Sequence, residues 1–139
     1  MRHATPTGSY SISVPDDTLE EDDGRVISFW MKGHHLLLQL SSFSRNEGAQ
    51  VGATERLSAL LKRQPLLDVS LGSSVAVNCP EYSSAKGVDE QGCVWIYAYA
   101  VWPDMALMIT VSGDKQELMD EDNWAFAAVR SIRRNVNDA

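Results

Sequence analysis

The sequence predicts an α+β domain: an antiparallel β-sheet of about six to seven strands flanked by two main helices, an α/β/α sandwich. Three observations predict it. Two stretches read as long hairpins, a segment between them repeats apolar residues at helical spacing, and a second helical stripe closes the chain. The expected order is β-β-β-α-β(-β)-β-β-α without repeats or linkers. Residues 9–134 then form one globular domain, with short tails at 1–8 and 135–139.

Tyr10, Ile12 and Val14 alternate with serines, as a strand with one buried face requires, and Pro15 ends it. Residues 16–23 carry six acids in eight positions. Such a run repels itself and is expected in a solvated loop, and it lacks the alternating acids and turn glycine of a calcium loop. Residues 25–31 and 34–43 are strands joined by Lys32-Gly33, a tight-turn pair. The expected register sets Met31 against His34, Phe29 against Leu36 and Ile27 against Leu38. One face is then Ile27, Phe29, Leu36, Leu38 and Leu40, and the other mixes Val26, Ser28, Trp30, His35, Leu37 and Gln39.

After a polar loop at 44–52, Ala53, Leu57, Leu60, Leu61 and Gln64 mark an amphipathic helix that Pro65 stops. Residues 66–71 and 74–78 read as short strands or one strand bent at Gly72. The turn-rich stretch 79–92 has room for an edge strand at 82–86. The second hairpin runs through 92–102, turns at Pro103-Asp104 and returns through 105–112. It pairs Ala100 with Leu107, Ala98 with Ile109 and Ile96 with Val111, an aliphatic face predicted to be buried. The opposite face holds Trp95, Tyr97, Tyr99, Val101, Ala106, Met108 and Thr110. Acids at 120–122 and cations at Arg130, Arg133 and Arg134 bracket the last helix, whose stripe is Trp124, Ala125, Ala128, Val129 and Ile132.

This layout carries a resemblance. A short strand ended by Pro15 is followed by two hairpins, 25–43 and 92–112, on either side of one amphipathic helix. The closing helix contains Asn123-Trp124-Ala125-Phe126 and Ser131-Ile132-Arg133. Over almost its whole length the chain resembles the PsbP-like superfamily, which groups photosystem extrinsic subunits, yeast Ran-binding Mog proteins and many bacterial domains. The resemblance implies an α/β/α sandwich around an antiparallel sheet and a mostly non-catalytic, protein-binding role, including chaperones for secreted effectors. No family site residue is matched here, so none is carried over.

Composition narrows the function classes. A chain of 139 residues, 44% hydrophobic and with four Trp, four Tyr and three Phe, has the material for its own core. Nineteen acids against twelve bases give a net charge of −7. Phosphate-backbone binding needs clustered Lys and Arg, so nucleic acid is not the expected partner. The opening residues lack an apolar signal core, and the longest apolar run, 94–102, is too short for a membrane helix. Cytoplasm is the expected location, with Cys79 and Cys93 as unbridged thiols.

Catalysis lacks a motif. His34 and His35 are adjacent on a strand and point to opposite faces, so they do not share a metal. No nucleophile elbow, phosphate loop or metal-ligand spacing is present. The expectation is a non-catalytic protein-binding, adaptor or chaperone-like domain that uses no cofactor or metal and is a monomer or weak homodimer. A small-molecule-binding domain or an enzyme of another type is the alternative. The candidate binding residues are Trp95, Tyr97, Tyr99 and Met108, joined by Trp30 and His35 from the first hairpin. Large aromatics and Met dominate interface energies. If a helix covers this face, the same residues are core, the commoner outcome for a sandwich. A third reading gives the acidic run 16–23 the task of steering a basic partner.

Overall fold

The computed structural model describes residues 1–6, 8–44, 51–72 and 75–135. The chain is α+β, with a seven-stranded antiparallel sheet, a three-stranded sheet and three helices among these residues. In chain order the strands are β1 (Arg2–Ala4), β2 (Tyr10–Val14), β3 (Leu19–Asp22), β4 (Ile27–Trp30) and β5 (Leu36–Ser44). Helix α1 (Ala53–Arg63) precedes β6 (Leu67–Leu71), β7 (Glu81–Val88), β8 (Val94–Val101) and β9 (Met105–Gly113). Helices α2 (Lys115–Met119) and α3 (Trp124–Arg130) and strand β10 (Arg133–Arg134) close the chain. The large sheet has the order β3-β4-β5-β9-β8-β7-β6 and the small one β1-β2-β10.

The β8–β9 hairpin has the predicted register, with Ile96 on Val111, Ala98 on Ile109 and Ala100 on Leu107, and all six side chains are buried. They join Phe29, Leu36, Leu38 and Leu40 to form the aliphatic face of the sheet. Against it pack Tyr10, Ile12 and Val14 of β2, Leu118 of α2, and Ala125, Phe126, Ala128 and Val129 of α3. Asn123 caps α3 by accepting from Phe126 N at 2.8 Å, and Asp114 caps α2 by accepting from Gln116 N at 3.0 Å. A capped terminus satisfies amides that would otherwise lie unpaired against the core.

Several expectations need correction. The acidic run is not a loop: its residues 19–22 form the edge strand β3. Asp22 and Asp23 build the following turn, accepting from Gly24 N at 2.9 Å and from Arg25 N and Val26 N at 2.8 Å. An edge strand with both faces in water tolerates acids, and they discourage further strand pairing. The first hairpin pairs Ile27 with Leu40 and Phe29 with Leu38, two residues from the expected register. The reason lies in the turn. Lys32-Gly33 does sit between Met31 and His34. His35, however, leaves the ladder, donating its backbone N–H to Glu117 Oε1 at 2.8 Å and accepting from Asp114 N at 3.1 Å. A shift of two preserves the faces, because side chains alternate with period two.

The stretch at 82–86 is part of the eight-residue strand β7, internal in the sheet with β6 beyond it. The last helix, expected from the acids at 120–122 to Arg134, is α3 and ends at Arg130, with Arg133–Arg134 forming β10; the unexpected α2 lies before those acids, so the expected two helices are three among the described residues. Residues 2–4, expected as tail, pair with β2. The loop expected at 44–52 lies mostly outside the described residues, as does the tail expected at 135–139 apart from Asn135.

Candidate functional site: the half-covered face of the sheet

Helix α1 is amphipathic and buries Ala53, Leu57 and Leu60 against β7 and β8, on the face opposite the aliphatic core. These side chains cluster with Ala85, Tyr97, Tyr99, Val101 and Ala106. Tyr97 and Tyr99 are 3% and 4% exposed. The candidate patch is therefore not centred on them; both rings are core. The burial that seals them also raises both phenol pKa values, with Asp89 adding to the effect at Tyr97 and Arg63 and Arg56 opposing it at Tyr99.

Beyond the helix the same face continues. The registers place residues in rows across the strands. One row reads Leu19, Trp30, Leu37, Ser112 and Trp95, from β3 through β4, β5 and β9 to β8. The next reads Glu21, Ser28, Gln39, Thr110 and Tyr97, and the one after it includes Ser41, Met108 and Tyr99. Seven strands span roughly 29 Å at about 4.8 Å each. A helix about 10 Å across covers roughly two of them. The other two helices pack on the opposite face. Leu19 is 47% exposed, and Trp30, Leu37, Met108 and Trp95 are each partly exposed. Gln39 and Ser28 bond to one another at 3.2 Å, a polar pair beside the apolar row.

Trp95 is held in place. Its ring meets Tyr97 edge-on at 5.9 Å, and its indole N–H donates to Asp89 Oδ2 at 2.8 Å. Asp89 also accepts from Gln91 N and Cys93 N at 2.9 Å, and these bonds, the Trp95 one foremost, lower its pKa. A lowered folded pKa contributes stability above the ordinary carboxylate range and loses it as pH falls through the folded value. The Trp95 indole N–H resonance should therefore shift only in acid, below the ordinary Asp pKa. In Asp89→Asn that titration should vanish.

His35 lies apart from this row, exposed at the end of the hairpin and tied by its backbone to Glu117 and Asp114. Sequence reasoning missed Leu19 and Leu37 as site residues. Leu37 had been placed on the right face, whereas Leu19 was hidden among acids. Among the described residues no group of His, Cys, Asp or Glu is arranged to hold a metal, and no helix is long and apolar enough to cross a membrane.

The fold and site define an α+β sandwich whose large sheet carries β2, α2 and α3 on one face and α1, over β7 and β8, on the other. No protein-family model and no curated protein matches the chain. It is similar to a crystal structure from Bacteroides thetaiotaomicron VPI-5482 at 1.50 Å resolution, with 16% identity and a TM-score of 0.61. The match covers 96% of this chain and 48% of that one, so this chain spans about half the length of the protein it matches. At that identity the likeness is one of fold.

Proposed function

We propose that this domain is a non-catalytic protein-binding module that docks a partner polypeptide on the open half of the sheet, over Leu19, Trp30, Leu37, Met108 and Trp95. The observation that carries the reading is the row Leu19-Trp30-Leu37, apolar and accessible beside a polar row. Such a mixture keeps an isolated surface soluble and still offers rigid apolar area to a partner. The resemblance to the PsbP-like superfamily supports the same class of function. Two free thiols, Cys79 and Cys93, suit the reducing cytoplasm as its setting.

The test compares what co-purifies from native cells with the wild-type chain and with Trp30→Asp and Leu37→Asp, all checked for folding by circular dichroism. Partners should be retained by the wild type and lost, by at least about tenfold, from both variants. An unchanged set of partners would overturn the reading.

A second reading, a small-molecule site, draws on a cavity of about 410 Å³ lined by Tyr10, Asp22, Arg25, Ile27, Ser42 and Phe43 among others. Tyr10 is 1% exposed, and burial followed by the nearby Asp22 charge raises its pKa, so its hydroxyl stays a hydrogen-bond donor. Ligand-dependent shifts of Tyr10 and Phe43 resonances in a metabolite screen would favour this reading over docking.

A further inference from the structure

The cavity of about 410 Å³ between β2 and the strands β3, β4 and β5 is lined by an acid, a base and a buried phenol that make no bond to one another. Its floor is the row Asp22, Ile27 and Leu40, which the registers set side by side on the core face. Tyr10 is 1% exposed, and among the described residues its hydroxyl has no hydrogen-bond partner. Among those residues the polar side-chain atoms sealed away without a partner are Thr18 Oγ1 and Trp124 Nε1. The Tyr10 oxygen is not one of them, so it opens onto the cavity. A buried hydroxyl without a partner calls for a bound group that supplies one.

Asp22 and Arg25 stand on either side of the Asp23-Gly24 turn, and among the described residues neither forms an ion pair. Gly24 N holds Asp22 Oδ1 at 2.9 Å, which fixes the carboxylate at the cavity wall. Glu20, two residues back on the same face, is already paired with Arg2, so Asp22 is the acid left to a ligand. Arg25 acts on the neighbouring Asp23 carboxyl through its charge alone, and its donors stay free.

We infer that this cavity binds a small zwitterion, a free α-amino acid with an apolar side chain. The ammonium lies between Asp22 and the Tyr10 hydroxyl, the carboxylate meets Arg25, and the side chain covers Ile27 and Leu40. Asp22 repels a simple anion and Arg25 a simple cation, whereas one small molecule bearing both charges satisfies both. The guanidinium fork matches a carboxylate in two parallel bonds. Burial keeps the Tyr10 phenol neutral, so its oxygen accepts from the ammonium without adding charge. A water would satisfy the hydroxyl and neither charge. The inference rests on the small-molecule reading of this cavity and is independent of docking on the other face of the sheet.

Amide spectra of the whole chain, titrated with L-leucine into the millimolar range, should show saturable shifts at Tyr10, Gly24 and Arg25. Two analogues that each lack one charge, isoamylamine and isocaproate, should bind at least about tenfold more weakly. Tyr10→Phe, Asp22→Asn and Arg25→Gln should each weaken L-leucine binding by at least about tenfold. Asparagine keeps the oxygen that Gly24 N bonds, and circular dichroism checks the folding of all three variants. Equal affinity for L-leucine and either analogue, or for the wild type and the folded site variants, overturns the inference. So does the absence of any saturable shift with L-leucine. A different metabolite that then shifts Tyr10 and Phe43 leaves the small-molecule reading standing, and a screen that finds none removes both.

Discussion

Replacing Tyr97 with alanine should lower the free energy of unfolding by about 3–5 kcal/mol. The ring is sealed between α1 and the sheet, in a cluster with Leu57, Leu60 and Tyr99, and supports Trp95 through their edge-on contact. Removing it leaves a cavity that the rigid sheet cannot collapse to fill. Trp30→Ala should cost only about 1 kcal/mol, since its side chain is partly in solvent already. Urea melts of the two variants decide the matter together. Comparable small losses would mean that Tyr97 is not seated under the helix, and would return it to the binding surface.

Gly113→Ala should destabilise by about 2–5 kcal/mol, although it adds one methyl group. Gly113 pairs with Leu36 on one side and Val94 on the other, at the end of the central strand β9. Its φ is 141°, a backbone conformation that L side chains rarely adopt, and a Cβ there would collide with the His35 carbonyl oxygen. The conformational cost is about 1–2 kcal/mol and the overlap about 1–3 kcal/mol. Relief of the collision would require β5 and β9 to separate where His35 bonds Asp114, so the loss should appear as faster hydrogen exchange at Leu36, Leu37 and Asp114 as well as in the melt. An alanine variant as stable as the wild type would contradict this packing.

The β8–β9 hairpin was legible down to its register, because an aliphatic face and a proline turn demand the same pairing. Helix α1 was equally legible, since Pro65 stops it and its apolar stripe has helical period. The first hairpin was legible in its faces and not in its register. Nothing in Met31-Lys32-Gly33-His34-His35 announces that His35 will bond to residues 79 and 82 positions further on. β3 was misread because the six acids of the run 16–23 describe solvation, and an edge strand is solvated on both faces too. Its signal was the Asp23-Gly24 turn that leads into β4.

By itself the sequence determined the period of the two hairpins and of helix α1, and hence which of their side chains share a face, because that depends on local backbone geometry. It did so for Trp95, Tyr97, Tyr99 and Met108, and for Ser28, Trp30, Leu37 and Gln39. Only the tertiary structure decided which of those residues are core. That outcome depends on where α1 lies across the sheet, and one helix is wide enough for about two strands of seven. It landed on β7 and β8, turning Tyr97 and Tyr99 into core and leaving Trp30 and Leu37 in reach of solvent.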